Sequence, residues 1–382
     1  MKIRIWIDAT TVIERIDGLS QYIINLLKYM PTEAFDKFDI SVLLNPNIRR
    51  KDLMELINKG KFTIIYASIA PIGPRRDWNM FWFLRKNKGK YDIFHNTSSQ
   101  YPFYLRGGIA TIHDLTFKKH HNTSRRFFGL DKIYLDLVIR HSVKSAETII
   151  TVSQNSCNDL LSYYPREKDL KQKIVVIHEG WEHLETEKNE ETRSVNLSCN
   201  NYFIYLGSAR MHKNLSRLID AFAMALPRLP DTVNLLISGD MLLLKGKDKK
   251  KVIEINKNKK RIFFAGIIPQ EELSVYFKQA KAFVFPSLSE GFGLPVLESF
   301  YFNVPLLCSQ TSSFPEIAGD AALFFNPFDI KNIADSMVKI INDPQLAETL
   351  VRKGKERLTF FSWKKTTTQI LDVYQSLNKK NI

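Results

Sequence analysis

The stretch Phe285-Pro286-Ser287-Leu288-Ser289-Glu290-Gly291-Phe292-Gly293-Leu294-Pro295-Val296-Leu297-Glu298 decides how this chain is read. An apolar run ending at Phe285 has the character of a buried strand. A loop with two glycines follows and opens into a helix at Pro295, where proline suits the first turn. Gly291 and Gly293 let the backbone approach a ligand closely. The loop's amides and the positive end of the helix dipole form an anion site suited to phosphate. Glu290 lies in the loop and Glu298 about one turn into the helix, so the two carboxylates can address different parts of one extended ligand. Physics alone leaves a plainer alternative, with Gly-Phe-Gly a tight turn and Glu298 a solvated helix residue.

The same strand–loop–helix logic recurs upstream in Tyr202-Phe-Ile-Tyr-Leu-Gly207-Ser208-Ala-Arg210-Met-His212-Lys213-Asn214-Leu215. Arg210 and Lys213 stand at the start of a helix whose apolar face is Leu215, Leu218, Ile219 and Phe222. Cations there disfavour a helix by a few tenths of a kcal/mol. They make sense around an anionic ligand, or as ordinary surface charge.

Strands and helices alternate through the rest of the chain. Strands are expected at Ile3–Ile7, Phe38–Leu43, Phe62–Tyr66, Ile93–Phe94, Gly108–Ile112, Thr148–Val152 and Lys173–Ile177. A helix is expected through Leu19, Tyr22, Ile23, Leu26, Leu27 and Met30, and another from about Arg126 to Ala146. Residues 182–201 are polar and weakly periodic, which marks a linker. After it come strands Tyr202–Leu206, Val233–Ser238, Arg261–Phe264, Ala282–Phe285 and Pro305–Leu307, with helices from Asn214, Gln270 and Pro295. The pattern predicts two doubly wound α/β domains with parallel sheets covered on both faces. Ligands of such sheets sit at the carboxyl ends of the strands, so a cleft between the domains is the expected site.

A chain of 382 residues with 44% hydrophobic and 25% charged residues is ordinary for a globular protein. That composition excludes collagen-like, disordered and disulfide-scaffold classes, and no run is long enough to predict a spanning helix. Three scattered cysteines, Cys157, Cys199 and Cys308, lack metal spacing and fit a reducing cytosol. The unusual quantity is charge: 55 Lys and Arg against 40 Asp and Glu leave +15. Such a chain gathers near anions, whether nucleic acid, phosphorylated substrates or an anionic membrane face.

Taken together, these segments resemble the retaining GT-B glycosyltransferases of family 4, the group 1 type that uses nucleotide sugars. Glu290 and Glu298 stand as that family's EX7E pair, and Gly207 to Lys213-Asn214 match its donor-phosphate loop. Phe264-Ala-Gly266, Glu271-Glu272-Leu273 and Tyr276 look like the stretch flanking the nucleotide base. Ser362-Trp363-Lys364 matches the start of the last helix. Gly18-Leu-Ser-Gln-Tyr22, Asp92-Ile-Phe-His95-Asn96 and Ile112-His113-Asp114-Leu115 extend the likeness to the first half.

The resemblance implies a GT-B fold with two Rossmann-like domains facing a central cleft. The acceptor domain would span residues 1–183, and helix 363–382 would cross back onto it. The nucleotide-sugar domain would span 198–362. Lys213 would neutralise the donor diphosphate, and amides around Gly291, Phe292, Gly293 and Leu294 would hold sugar hydroxyls and phosphate. Glu290 would contact the sugar and Glu298 the ribose hydroxyls. Gly18 would let the first domain's loop approach the pyrophosphate. His113 would sit near the scissile bond, although a histidine before Asp-Leu also reads as a satisfied loop residue. Asp114 is read as capping or orienting. Many relatives carry arginine where this chain has Ser208; Arg210 or His212 would then supply the second positive charge, or Lys213 would act alone. The subset lacking that arginine includes mannosyltransferases, which favours GDP-mannose over a UDP-linked hexose. No Asp-x-Asp occurs in the chain, so no metal is expected, and the nucleotide sugar is a co-substrate rather than a cofactor.

On the acceptor side, Arg75–Lys90 and Phe117–Phe128 interleave aromatic and basic residues. They suit shallow docking on the anionic inner face of a membrane and a lipid-linked acceptor. For Trp78, Phe81 and Trp82 a core helix face is the competing reading. The nine basic residues within Lys245–Arg261 read as a solvated helix and loop. The functional expectation is a cytoplasmic, membrane-peripheral retaining glycosyltransferase of surface polysaccharide assembly. Its alternatives are a catalytically silent GT-B binding protein and a basic nucleic-acid-binding protein. No nucleic-acid module is recognisable, and the basic residues are spread over both halves.

Overall fold

The computed structural model describes residues 2–14, 17–60, 62–103, 105–119, 130–188, 200–239, 244 and 246–380. The chain divides into two units, taken here over their described parts. One comprises Met1–Leu115, Arg125–Gly180 and Ser362–Ile382; the other comprises Thr116–Ser124 and Trp181–Phe361.

The first unit holds seven strands: β1 (Ile3–Asp8), β2 (Phe38–Leu44), β3 (Thr63–Tyr66), β4 (Ile93–Asn96), β5 (Ile109–Ile112), β6 (Thr148–Thr151) and β7 (Ile174–Val176). They form one sheet in the order β3-β2-β1-β4-β5-β6-β7, with every pairing parallel. β4, β5 and β6 are buried along their whole lengths, as a sheet covered on both faces requires. The order reverses between β1 and β4, the switch point where doubly wound folds bind ligands.

The second unit repeats this order as β10-β9-β8-β11-β12-β13, again parallel throughout. Its strands are β8 (Tyr202–Leu206), β9 (Asn234–Ser238), β10 (Ile262–Gly266), β11 (Ala280–Phe285), β12 (Leu306–Ser309) and β13 (Ala322–Phe325). The sequence reading omits β13, a strand of only four residues without polar–apolar alternation. The helical face Leu215, Leu218, Ile219 and Phe222 is buried against Phe203, Tyr205, Leu235 and Ile237.

Helix Gly18–Lys28 carries the expected apolar side, with Tyr22, Ile23, Leu26 and Leu27 buried, and Asp17 caps it through the Ser20 amide. Gly18 is thus the first helical residue rather than a loop glycine, and a Cβ there would meet open space. The expected helix from Arg126 is described from Leu130 to Ser145; its start, most of Phe117–Phe128, Cys199 and the middle of the linker lie outside the described residues.

Helix Trp363–Lys380 belongs to the first unit and is locked to it by polar pins. Thr366 Oγ1 donates to His178 O at 2.5 Å, Thr367 Oγ1 to Tyr29 O at 2.9 Å, and Tyr374 Oη lies 2.7 Å from His95 Nδ1.

Helix Pro74–Lys86 turns Met80 and Leu84 inward, while Trp78 and Trp82 are 65% and 50% exposed. This removes the core-face reading for these two tryptophans within the chain. The buried positions of this helix also include Arg76, which ion-pairs with Asp8. In the basic run, Arg261 is buried and donates to Val233 O and Pro230 O, and Lys251 pairs with Asp220. Part of that run is therefore structural rather than merely solvated.

Candidate active site

In the second unit the chemistry gathers where β8 and β11 end. After β8 the chain passes Gly207 and turns through a short 3₁₀ stretch, Met211–Lys213, before helix Leu215–Ala225 begins. Asn214 makes that turn possible. It adopts a left-handed φ of 59°, and its amide donates to Pro286 O at 3.0 Å and Pro327 O at 2.7 Å. Those bonds tie the Lys213 turn to the loop after β11. A second tie runs from Leu288 N to His212 O at 2.7 Å. Gly239, at the end of β9, lies so close to Gly207 that a Cβ would sit 1.8 Å from its carbonyl oxygen. Only glycine fits there, because two backbones meet.

These ties bring Lys213 and Glu290 together although 76 residues separate them in the chain. Lys213 Nζ donates to Glu290 Oε1 at 2.7 Å, with the side chains 22% and 15% exposed. The ammonium also lies 5.5 Å from the centre of the Phe285 ring. From the sequence, Lys213 and Glu290 address separate parts of a ligand; here each is the other's partner. An ammonium carries three donors, so Lys213 can hold Glu290 and still meet an anion.

Gly293, at φ +97°, caps helix Leu294–Tyr301, and Pro295 occupies its first turn. The loop ahead of the helix is pinned by two serines that the sequence reading missed. Ser312 Oγ accepts from Glu290 N at 2.9 Å and donates to Glu290 O at 2.8 Å, and Ser313 Oγ donates to Phe292 O at 2.8 Å. Ser312 sits at φ +62°, a costly conformation for a residue with a side chain. Nothing in a bare Ser-Ser string announces such a clamp.

Glu298 is half-buried on that helix rather than solvated. Burial pushes its carboxyl up to about 7, against the opposing pull of the Lys213 charge. Phe292 is buried and packs edge-on against Phe361 at 5.7 Å, so its contribution to ligand contact falls to its backbone. Gly291 and Leu294 are half-buried beside it. Arg210 is exposed, and His212 and Ser208 are half-buried. Ser208 O accepts from Tyr205 Oη at 2.9 Å. Nearby, Phe264 and Ile267 are 38% and 72% exposed around the end of β10.

Gly18 and His113 belong to the first unit. His113 follows β5, with Nε2 3.0 Å from Thr97 O, its ring edge-on to Tyr22 at 4.7 Å, and Ser156 Oγ donating to its carbonyl at 2.7 Å. Nδ1 lies 3.9 Å from Glu179 Oε1, a residue the sequence reading passed over.

Residues 187–357 match the family described as glycosyl transferases group 1. O-antigen chain mannosyltransferase B of Escherichia coli is 25% identical to this chain, over 94% of it and 96% of the relative. O-antigen chain mannosyltransferase RfbU of Salmonella typhimurium is 27% identical, over 65% of this chain and 64% of its own. Among solved structures, HepE of Anabaena in complex with UDP and glucose superposes with a TM-score of 0.73 at 15% identity, covering 98% of this chain and all of that one.

Proposed function

We propose that this chain, a glycosyl transferases group 1 protein of the GT-B fold, moves a hexose from a nucleoside-diphosphate sugar to a glycan or lipid-linked glycan in surface polysaccharide assembly, with retention at the anomeric carbon. The observation that carries this reading is the Lys213–Glu290 pair, held before the amino end of helix Leu294–Tyr301 and inside the segment the family model matches.

Breaking a sugar–phosphate bond builds positive charge on the sugar and negative charge on the departing diphosphate. Lys213 and the amides of Gly291, Phe292, Gly293 and Leu294 are the donors this reading assigns to that negative charge. One such preorganised donor contributes about 3–4 kcal/mol. Glu290 fixes the Lys213 ammonium and keeps a second oxygen for a sugar hydroxyl. Glu298 accepts from the ribose hydroxyls, which an ionised carboxylate does as a bidentate partner. Retention fits attack on the face the diphosphate leaves, with a phosphate oxygen taking the acceptor's proton. Lys213 and the helix end supply the positive charge that a divalent cation would otherwise bring, so the reaction runs without one.

The two O-antigen mannosyltransferase relatives favour mannose, carried on GDP, with a UDP sugar as the competing donor. No helix among the described residues is long and apolar enough to cross a membrane. Peripheral docking on the inner membrane face, from the cytoplasm, is part of this reading, and helix Pro74–Lys86 supports it by exposing Trp78 and Trp82 beside Arg75, Arg85 and Lys86.

Calorimetry with GDP, UDP, ADP and their common sugar conjugates tests the reading. The expected result is one selective nucleotide, binding lost in Glu298→Ala, and transfer that excess EDTA leaves unchanged. Absence of binding to every nucleotide would leave a silent GT-B protein.

A further inference from the structure

The first unit carries a buried acid that the proposed reaction leaves unused. Glu179 lies three residues beyond β7 and is 4% exposed, and its Oε2 has no hydrogen-bond partner. An orphaned buried oxygen on an ionisable group needs a reason, because it forfeits solvation without recompense. The other oxygen faces His113 Nδ1 at 3.9 Å.

The geometry fixes where the protons are. Thr97 O, 3.0 Å from His113 Nε2, can only accept, so Nε2 carries the hydrogen. In the neutral ring Nδ1 then carries a lone pair, 3.9 Å from Glu179 Oε1. Protonating the ring would place the new N–H on that same side. We propose that Glu179 is a positioning residue for His113: at 3.9 Å its carboxyl stands within ion-pair range of Nδ1 but beyond hydrogen-bond reach, so its protonation state sets the charge the ring sees at the carboxyl edge of the first sheet. The inference rests on the reading of His113 as a residue of the transfer site. No bond forms between the two: a proton held on the Glu179 carboxyl keeps the pair neutral, and its loss to solvent leaves a buried carboxylate beside the ring.

The surroundings favour a neutral acid beside a neutral ring near pH 7. Burial pushes the Glu179 carboxyl up to about 8 and the His113 imidazole down. The other groups facing the pair are Tyr22 on helix Gly18–Lys28, Asp17 at its cap, Asp114 next to His113, and His95 on β4. His95 is held neutral by burial, and Tyr22 is pushed well above its ordinary range, so neither supplies a charge near neutral pH. Burial opposes a protonated His113 ring, while Asp17 and Asp114 favour it more weakly.

A pH series from 7 to 9 tests this. If transfer needs the neutral Glu179 carboxyl beside His113, wild-type transfer falls about tenfold from pH 7 to pH 9, as expected for loss of one proton near 8. In Glu179→Gln, which cannot ionise, the two rates should agree within about twofold. An equal tenfold fall in Glu179→Gln would overturn the proposal, since a purely structural role changes the rate at every pH alike. Nitrogen NMR of His113 in the ligand-free protein is the second measurement and needs no donor or acceptor. The proposal requires an Nε2–H ring whose Nδ1 shift moves between pH 7 and 9. A hydrogen fixed on Nδ1, or a flat titration, sinks it even where transfer is intact, and failure of transfer leaves the titration readable.

Discussion

Each unit carries a buried or half-buried ion pair at the carboxyl edge of its sheet, and the two pairs differ in what they are free to do. In the first unit Arg76 and Asp8 pair at 1% and 0% side-chain exposure. Arg76 also donates to Thr10 Oγ1 at 2.8 Å and approaches Asn96 Oδ1 at 3.5 Å, so its guanidinium is committed to the sheet switch point. In the second, Lys213 and Glu290 keep 22% and 15% exposure and sit on a turn and a loop. A dry pair cannot exchange partners without stranding a charge. A part-solvated pair can open toward a ligand at small cost. Burial thus separates a committed ion pair from one that is still open to solvent, and only the second is placed to play the part proposed for it.

Removing the cation from each pair should separate the roles most sharply. Arg76→Ala should cost about 3–5 kcal/mol of stability, because it leaves Asp8 buried and unpaired, and urea unfolding would register the loss. Lys213→Ala should leave unfolding nearly unchanged while transfer falls about 10²–10³-fold. A folded, inactive Arg76→Ala, or an unfolded Lys213→Ala, would reverse the comparison.

A gentler contrast comes from pH. Burial raises the Glu298 carboxyl to about 7, so this group's contribution to stability declines as pH rises from the ordinary carboxylate range through that value. With Glu298 holding the ribose as proposed, binding should run the opposite way, because hydroxyls donate to the ionised form. Affinity for a nucleotide sugar should be about tenfold weaker at pH 6 than at pH 8, and Glu298→Gln should flatten the slope. Calorimetry at the two pH values decides it.

The smallest expected effect concerns the outer face of helix Pro74–Lys86, whose inner face holds Arg76. Trp78→Ala with Trp82→Ala should weaken binding to anionic vesicles by about fivefold, since shallow insertion buries only part of each ring. Undiminished binding in a sedimentation assay would assign the rings to another partner.

Strand–helix alternation, the glycine loop before Pro295 and the apolar face Leu215, Leu218, Ile219 and Phe222 were legible in the sequence because backbone conformation and amphipathic burial are local, periodic properties. The spacing of Glu290 and Glu298 was equally legible, since loop and helix are contiguous in the chain. The order of strands in each sheet, the pairing of Lys213 with Glu290, the Ser312 clamp and the meeting of His113 with Glu179 were not. Each joins residues from different strand ends, and nothing local encodes which ends become neighbours. Burial decided the rest: it made Arg76 a rivet among many surface cations, turned Trp78 and Trp82 outward, and raised Glu298 and Glu179. Desolvation depends on everything packed around a group, so it exists only once the chain has folded.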